Sequence, residues 1–467
     1  MRAWFARERA AGRERLVYQT SGAQLIAGMS GLGQWQERIK RVFEATEQLD
    51  AILYFDNLGD LFAERVEGSV DLAGAMKPYL EQGRVRLVGE LTPELWELAE
   101  SRQAGFVACL SRLKVEPLTP AATARALAAR VAFDRRHEPD RPTIDERAVA
   151  PLVDLAERYL PYRAFPGKAF RLYEELRGVH GEELAASGRG ATLTVDRLYE
   201  HFSLSSGVPS FLLRDDRTLV LGDVVRALGE QLVGQREAVR RVAETVCVTK
   251  AGLQPTGKPL STFLFVGPTG VGKTELARAL ATYLFGTPER VVRFDMSEYM
   301  DMEAAERLIR GTDRADGLLT RRVREQPFCV LLLDEIEKAS RGVFDLLLQV
   351  CGEGRLTDAR GRVAYFHNAI IIMTSNLGAA HHRPTAGFGT SGGEDEAYYV
   401  RQVNASFRPE FVNRIDRIIA FAPLTAAEAE RVARMALGRI CTRRGLVEAG
   451  VQLLVSQRAL AHQQLHP

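Results

Sequence analysis

The sequence predicts an α/β protein in which a parallel sheet is flanked by helices, and three observations carry the prediction. The run 262–266, TFLFV, is short, apolar and rich in β-formers, and from Glu275 onward apolar residues recur at helical spacing, so a strand gives way to a helix there. The run CVLLLD, ending on Asp334, lacks polar alternation and reads as a parallel strand buried on both faces. A third such run, NAIIIMTSN at 368–376, ends on Asn376.

Between the first strand and its helix lies GPTGVGKTE, comprising Gly267, Pro268, Thr269, Gly270, Val271, Gly272, Lys273, Thr274 and Glu275. The glycines let the backbone curl so that its N–H groups point inward, and the positive end of the following helix adds to the same anion cradle. Phosphates fit there. Lys273 would reach the outer phosphates of ATP as a point charge, and the Thr274 hydroxyl would hold Mg²⁺.

The second run places Asp334 and Glu335 at the carboxyl edge of the sheet, beside this loop. Asp334 would hold the water shell of Mg²⁺, and Glu335 would take the proton of the water that attacks the γ-phosphate. Asn376 has two readings: an amide that orients that water or the phosphate, or a turn residue capping its strand.

An earlier stretch repeats the outline with one change. ILYFDNLGDL at 52–61 ends its apolar run on Asp56 and continues with Asn57, where VLLLDEIEKA at 330–339 has Glu335. An amide cannot take a proton from water, a loss of roughly a hundredfold to ten-thousandfold. No Gly-Lys pair precedes Gly167 and Lys168, and GKAF there lacks the glycine spacing and the Ser/Thr, reading instead as a helix start. The first half is therefore expected to be catalytically silent.

Length and composition set bounds. The 467 residues suffice for about three domains. The 62 Lys and Arg nearly cancel the 60 Asp and Glu, and no basic block or interleaved aromatic stripe argues for nucleic acid or an anionic membrane surface. Apolar runs fall far short of a bilayer span. Cys109, Cys247, Cys329, Cys351 and Cys441 are scattered without a CxxC pair, which argues against a disulfide framework or a zinc site and for a reducing, cytoplasmic setting. The Arg-rich start, interrupted by Glu8 and Glu14, reads as a charged surface helix rather than a targeting segment.

Taken in order, LVGQREAV (232–239), GPTGVGKTELA, RFDMSEYM (293–300), LLLDEIEKA, LLQVCGEGRLTDARGR (347–362), MTSNLG and FRPEFVNRID (407–416) resemble the Clp branch of AAA+ ATPases, especially the second module of ClpB, ClpA and ClpC. The resemblance implies AAA+ P-loop modules, each with a small helical lid, assembled into a hexameric ring that works on protein substrates as a chaperone or unfoldase. It implies that Arg414 is a finger reaching into the neighbouring subunit's site, worth roughly a thousandfold or more in turnover. It also implies that Val233, Gly234 and Gln235 lie against the adenine.

The first half resembles the family more loosely, from about Leu16 to Leu213. AGMSGLGQWQERIKRVF (27–43) looks like a first-module pore loop and helix, YFDNLGDL like its acidic strand, and MKPYLEQGRVRLVGELTPE (76–94) like the helix and strand that follow. LPYRAFPGKAFRLYEEL (160–176) looks like the small helical subdomain, and LTVDRLYEHFSLSSGVPSFLL (193–213) like the segment leading into the second module. The implied division is a P-loop-less large subdomain (1–112), a helical subdomain with a short linker (113–192), a connecting segment (193–215), a second AAA+ module (216–423) and a lid that ends short (424–467).

Several departures bear on function. Gly31 stands where the first pore loop would carry an aromatic, and no aromatic lies between Tyr299 and Phe328, so these loops do not imply a grip on a threaded chain. GVHGEELAASGRGAT at 178–192 reads as a short flexible linker where ClpB inserts a coiled coil. The chain ends before the family's further lid arginine. Adjacent His381 and His382 point apart and read as solvated loop rather than a metal site. Nearby, Ala386, Gly387 and Phe388 resemble the tripeptide with which ClpA-like and ClpC-like subunits dock a barrel peptidase; an ordinary surface loop is the alternative. The expectation is an ATP-hydrolysing, protein-remodelling ring ATPase, and the alternative is a nucleotide-binding assembly or regulatory subunit that hydrolyses little.

Overall fold

The computed structural model describes residues 16–27, 34–62, 71–185, 192–252, 257–301, 317–358, 362–378 and 393–441, with a few isolated positions besides. Gly31, the loop 309–316, His381, His382, Ala386, Gly387 and Phe388, and the chain beyond 448 lie outside the described residues. Two compact units divide the chain, Met1–Glu116 and Pro117–Pro467.

In the first unit, β1 (Val17–Thr20), β2 (Ile52–Phe55) and β3 (Arg86–Gly89) form a parallel sheet in chain order, with Val17 opposite Ile52 and Ile52 opposite Arg86. Parallel neighbours need crossovers, here carried by helices that include α1 (Gln34–Gln48) and α2 (Leu72–Glu81). Asp71 starts α2 by accepting the Gly74 N–H, an N-cap. Phe43 of α1, Met76 of α2 and Leu53 and Phe55 of β2 meet in the core with Phe106.

The second unit opens with four helices: α3 (Pro120–His137), α4 (Glu146–Tyr159), α5 (Gly167–Ala185) and α6 (Val195–Ser206). The stretch read from sequence as a flexible linker is helical through Ala185. Glu182, Glu183, Leu184 and Ala185 are strong helix formers, and their propensity carries α5 past Gly178 and Gly181. A fully buried guanidinium ties α3 to α5: Arg177 donates to Asp134 Oδ2 at 2.9 Å, to Glu138 Oε2 at 2.9 Å and to the Pro142 carbonyl at 2.8 Å. Tyr173 adds a hydrogen bond to Asp134 Oδ2 at 3.1 Å.

Next come α7 (Arg236–Lys250), a strand β4 (Ser261–Val266), α8 (Lys273–Phe285), β5 (Val291–Asp295), β6 (Cys329–Asp334), α9 (Arg341–Glu353), β7 (Ala369–Ser375), β8 (Arg417–Ala420) and α10 (Ala426–Cys441). These strands form a five-stranded sheet in the order β8-β4-β7-β6-β5, parallel throughout. Its side chains alternate between two cores. Phe263, Phe265, Leu332 and Ile372 share one with residues of α3 to α6, such as Leu127, Leu152, Leu176 and Phe202. Leu264, Val266, Leu331 and Met373 face the other, with Phe366 and Phe411. Burial on both faces explains why the strands read as unbroken apolar runs.

The register brings three strand ends together. Ser375 of β7 stands opposite Val266 of β4, and Met373 stands opposite Leu333 of β6, so the loops after β4, β6 and β7 meet at one edge. Among the described residues, no helix is long and apolar enough to cross a membrane.

Candidate functional site

The loop after β4 is shaped by glycines whose backbone any other residue would adopt only under strain. Gly267 has φ +144°, and a Cβ there would stand 2.5 Å from the Phe421 carbonyl; Gly272 has φ +103°, and its Cβ would stand 2.7 Å from Leu232 Cδ1. Gly272 is also the N-cap of α8 and brings no side chain to bond, so the first N–H groups of that helix remain available to an anion. Thr269 and Gly270 are exposed at the loop tip, whereas Val271 is buried in the core.

Lys273 begins α8 and is only 9% exposed. Its ammonium donates to the Gly267 carbonyl at 2.5 Å, the Pro268 carbonyl at 2.9 Å and Asn376 Oδ1 at 2.8 Å. Burial lowers its pKa to about 8, against the opposing pull of Glu337, Asp334 and Glu335. All three hydrogen-bond acceptors are neutral, so a phosphate oxygen would be the stronger partner. Thr274 sits half-buried in the same turn, and the Glu275 carboxylate is engaged by Arg278 at 3.0 Å.

At the end of β6, Asp334 is 5% exposed and both its oxygens are held: Oδ1 by the Thr374 hydroxyl at 3.0 Å, Oδ2 by Arg293 Nε at 2.5 Å. The Arg293 guanidinium stands where a cation would bind this carboxylate. The chain then makes a left-handed kink at Glu335, φ +55°, an unusual conformation for a residue with a Cβ and one that gathers at functional sites. Glu335 Oε2 pairs with Lys338 at 2.6 Å. After the kink a short 3₁₀ turn, Ile336–Lys338, returns Glu337 toward β7, where its Oε1 accepts the Asn376 N–H at 3.0 Å.

Asn376 joins the two halves of the site. Its Oδ1 accepts from Lys273, and its Nδ2 comes within 3.5 Å of Glu335 Oε1. The strand end is capped by Ser375 instead, whose Oγ accepts the Leu377 N–H at 3.1 Å. The residues fit a magnesium nucleotide: a glycine cradle, a buried ammonium with only neutral acceptors, and one hard carboxylate already carrying a cationic side chain. Magnesium is commonly held by one or two carboxylates together with the substrate's phosphates, so Asp334 and the Thr274 hydroxyl would suffice without a protein cage.

The segment expected against adenine lies at the base of α10. Val233 is buried, Gly234 has φ +72° and comes close to Glu428, and Gln235 bridges to Ala422, donating to its carbonyl at 2.7 Å and accepting its N–H at 3.1 Å. The Gln235 side chain thus fastens the two segments together. A cavity of about 300 Å³ opens beside it, lined in part by Gln235, Phe421, Thr425 and Glu428. Arg414 is exposed just before β8, with its guanidinium over Gly352 of α9.

The first unit has the same outline with different contacts. Asp56 accepts from Gln19 Nε2 at 3.1 Å. Gln19 lies on β1 where Arg293 lies on β5, two positions back from the acid in register, so a neutral amide replaces the guanidinium. Asn57 keeps an extended backbone, φ −140°, and caps the turn Leu58–Leu61 by accepting the Gly59 N–H at 3.1 Å. Its Nδ2 donates to Asp60 at 2.7 Å, so both ends of the amide are engaged within its own turn.

A family profile described as an AAA domain (Cdc48 subfamily) matches residues 258–418. The ATP-dependent Clp protease ATP-binding subunit ClpE of Bacillus subtilis (strain 168) is 32% identical, over 96% of this chain and 71% of its own length. The chain belongs to the Clp family of AAA+ ATPases. The corresponding subunit ClpC of Staphylococcus aureus (strain USA300) is 31% identical over 96% of this chain, which spans 63% of that relative's length. Among solved structures, the S. cerevisiae Hsp104:casein complex in its extended conformation matches with a TM-score of 0.74 at 28% identity, covering 96% of this chain and 78% of that one. Within this Clp-family fold, sequence reasoning missed Arg293, Thr374 and Glu337 as site neighbours. Arg293 and Glu337 stood inside motifs already singled out, RFDMSEYM and LLLDEIEKA, but only the register and the kink show what they touch.

Proposed function

We propose that the chain binds ATP with Mg²⁺ and hydrolyses it in residues 216–423, and that it works as a ring-forming, protein-remodelling ATPase of the chaperone or unfoldase type. The observation that carries the reading is the buried Lys273 ammonium, linked through Asn376 to the carboxylate of Glu335. In this reading Lys273 and the loop N–H groups bind the phosphates, Glu335 removes a proton from the attacking water, and Asn376 orients it. Bound Mg²⁺ would supply charge neutralisation at Asp334 and Thr274. Arg414 acts in the neighbouring subunit's site. The division at residues 112, 192, 215 and 423, a hexameric ring, protein substrates and a cytoplasmic setting belong to the same proposal, with neither nucleic acid nor membrane as partner. Docking of a peptidase through Ala386, Gly387 and Phe388 rests on that tripeptide alone.

A second reading, a nucleotide-binding assembly or regulatory subunit with little turnover, draws support from the lack of aromatics between Tyr299 and Phe328. ATP hydrolysis per subunit across a range of protein concentrations separates the two, with Lys273→Ala and Glu335→Gln alongside. Specific activity that rises with assembly and is abolished by both substitutions supports the first reading. Flat activity at the level of the variants, with ATP still bound by the unsubstituted chain, supports the second.

A further inference from the structure

One carboxylate beside the site has no role in the reaction as read above. Glu337 Oε1 accepts the Asn376 N–H at 3.0 Å, while Oε2 is buried and receives no hydrogen bond from any described residue. A buried carboxylate oxygen without a partner is unfavourable, and such atoms in native folds ask for an explanation. The other oxygen, Oε1, shows what keeps the carboxylate there, through what Asn376 holds. Its side chain spans Lys273, at 2.8 Å, and Glu335, at 3.5 Å, and its main chain is fixed by Glu337. Glu337 owes its place to the left-handed kink at Glu335, since the 3₁₀ turn that follows sends residue 337 back across the end of β7. The general base and the residue that anchors its amide partner are therefore set by one bend of the chain.

We infer that Glu337 is a positioning residue for hydrolysis: its carboxylate clamps the Asn376 main chain, so that the Asn376 amide keeps a fixed place between the P-loop lysine and Glu335. The inference rests on the hydrolytic reading of the site. In this role Glu337 acts through Asn376 rather than on the reacting groups. When phosphate draws Lys273 away from Asn376 Oδ1, the clamp keeps the amide from following, and it stays aimed at the space in front of Glu335. Small displacements of such a group are costly, up to about a hundredfold in rate for a shift near 1 Å.

The test compares Glu337→Ala and Glu337→Gln in the full chain by steady-state ATPase kinetics, by binding of a fluorescent ADP analogue, and by hydrogen exchange of the 369–378 segment. The expected result for Glu337→Ala is a kcat lowered about tenfold to a hundredfold, with KM for ATP and the ADP-analogue Kd within about threefold of the unsubstituted chain, and faster exchange at Asn376. Glu337→Gln keeps an acceptor for the Asn376 N–H and should recover most of kcat. An unchanged kcat in Glu337→Ala overturns the role while leaving the hydrolytic reading intact. A parallel fall of kcat, nucleotide affinity and thermal stability in both variants also overturns it, as the mark of a folding defect. Absence of turnover in the unsubstituted chain overturns the hydrolytic reading and this role together.

Discussion

Nucleotide affinity should depend on pH through Lys273. In the folded chain the ammonium is buried among neutral acceptors and its pKa falls from 10.5 to about 8. Phosphate binding favours the charged form, so only protonated Lys273 binds well, and the apparent Kd should grow as one plus ten to the power of pH minus 8. That is near unity at pH 7 and about elevenfold at pH 9, or about 1.4 kcal/mol. The assay is titration with a fluorescent ADP analogue at saturating Mg²⁺ from pH 6.5 to 9.5; the nucleotide's own phosphates are ionised throughout the upper half of that range. Lys273→Arg supplies the control. Its guanidinium stays protonated, so affinity should be weaker overall but flat with pH. The nucleotide-free chain carries the complementary signature. Unfolded lysine keeps its proton to 10.5 and folded Lys273 releases it near 8, so the unfolded state binds more protons in that window and stability should rise with pH there, by up to about 3 kcal/mol. A Kd that stays level to pH 9.5 in the unsubstituted chain, or an equal slope in Lys273→Arg, would refute the reasoning.

Two further predictions concern residues outside the nucleotide site. Asn57→Ala should cost the first unit about 1 kcal/mol by removing an N-cap, Asn57→Asp should keep the cap but lose stability by setting a second carboxylate against Asp60, and Asn57→Glu should restore no hydrolysis; thermal unfolding with ATPase assays checks all three, and an unchanged melting point in the Ala variant counts against the cap. Arg177→Ala removes the fully buried partner of Asp134 Oδ2, leaving the more exposed Arg130 on Oδ1 as its remaining cation, and should cost up to about 3–5 kcal/mol in urea denaturation; a loss below about 1 kcal/mol would show that Arg130 suffices.

How much of this was legible in the sequence depends on what each residue's place depends on. The strands at 261–266, 329–334 and 369–375 could be read because burial on both faces leaves an uninterrupted apolar run. The P-loop could be read because its glycines, lysine and threonine must follow one another along the chain. The helix through 178–185 is not legible in a Gly- and Ser-containing stretch that reads as a flexible linker, although Glu182, Glu183, Leu184 and Ala185 favour a helix. Arg293 and Glu337 were missed for a different reason. Their positions rest on cross-strand register and on a single positive φ, and neither leaves a pattern in residue type. Asn57 shows the limit from the other side: the sequence indicated the missing base, but only the backbone shows that the amide is committed to capping its own turn.

The core that α3 to α6 share with one face of the sheet has a mechanical meaning. The sequence motifs suggest a change of module near residue 216, yet among the described residues Phe202 and Phe263 belong to one continuous interior. Close-packed interiors yield little under load, so these helices act as a handle set into the nucleotide-binding sheet. A push on these helices and a change at the strand ends beside Asp334 and Asn376 would therefore meet in one packed core.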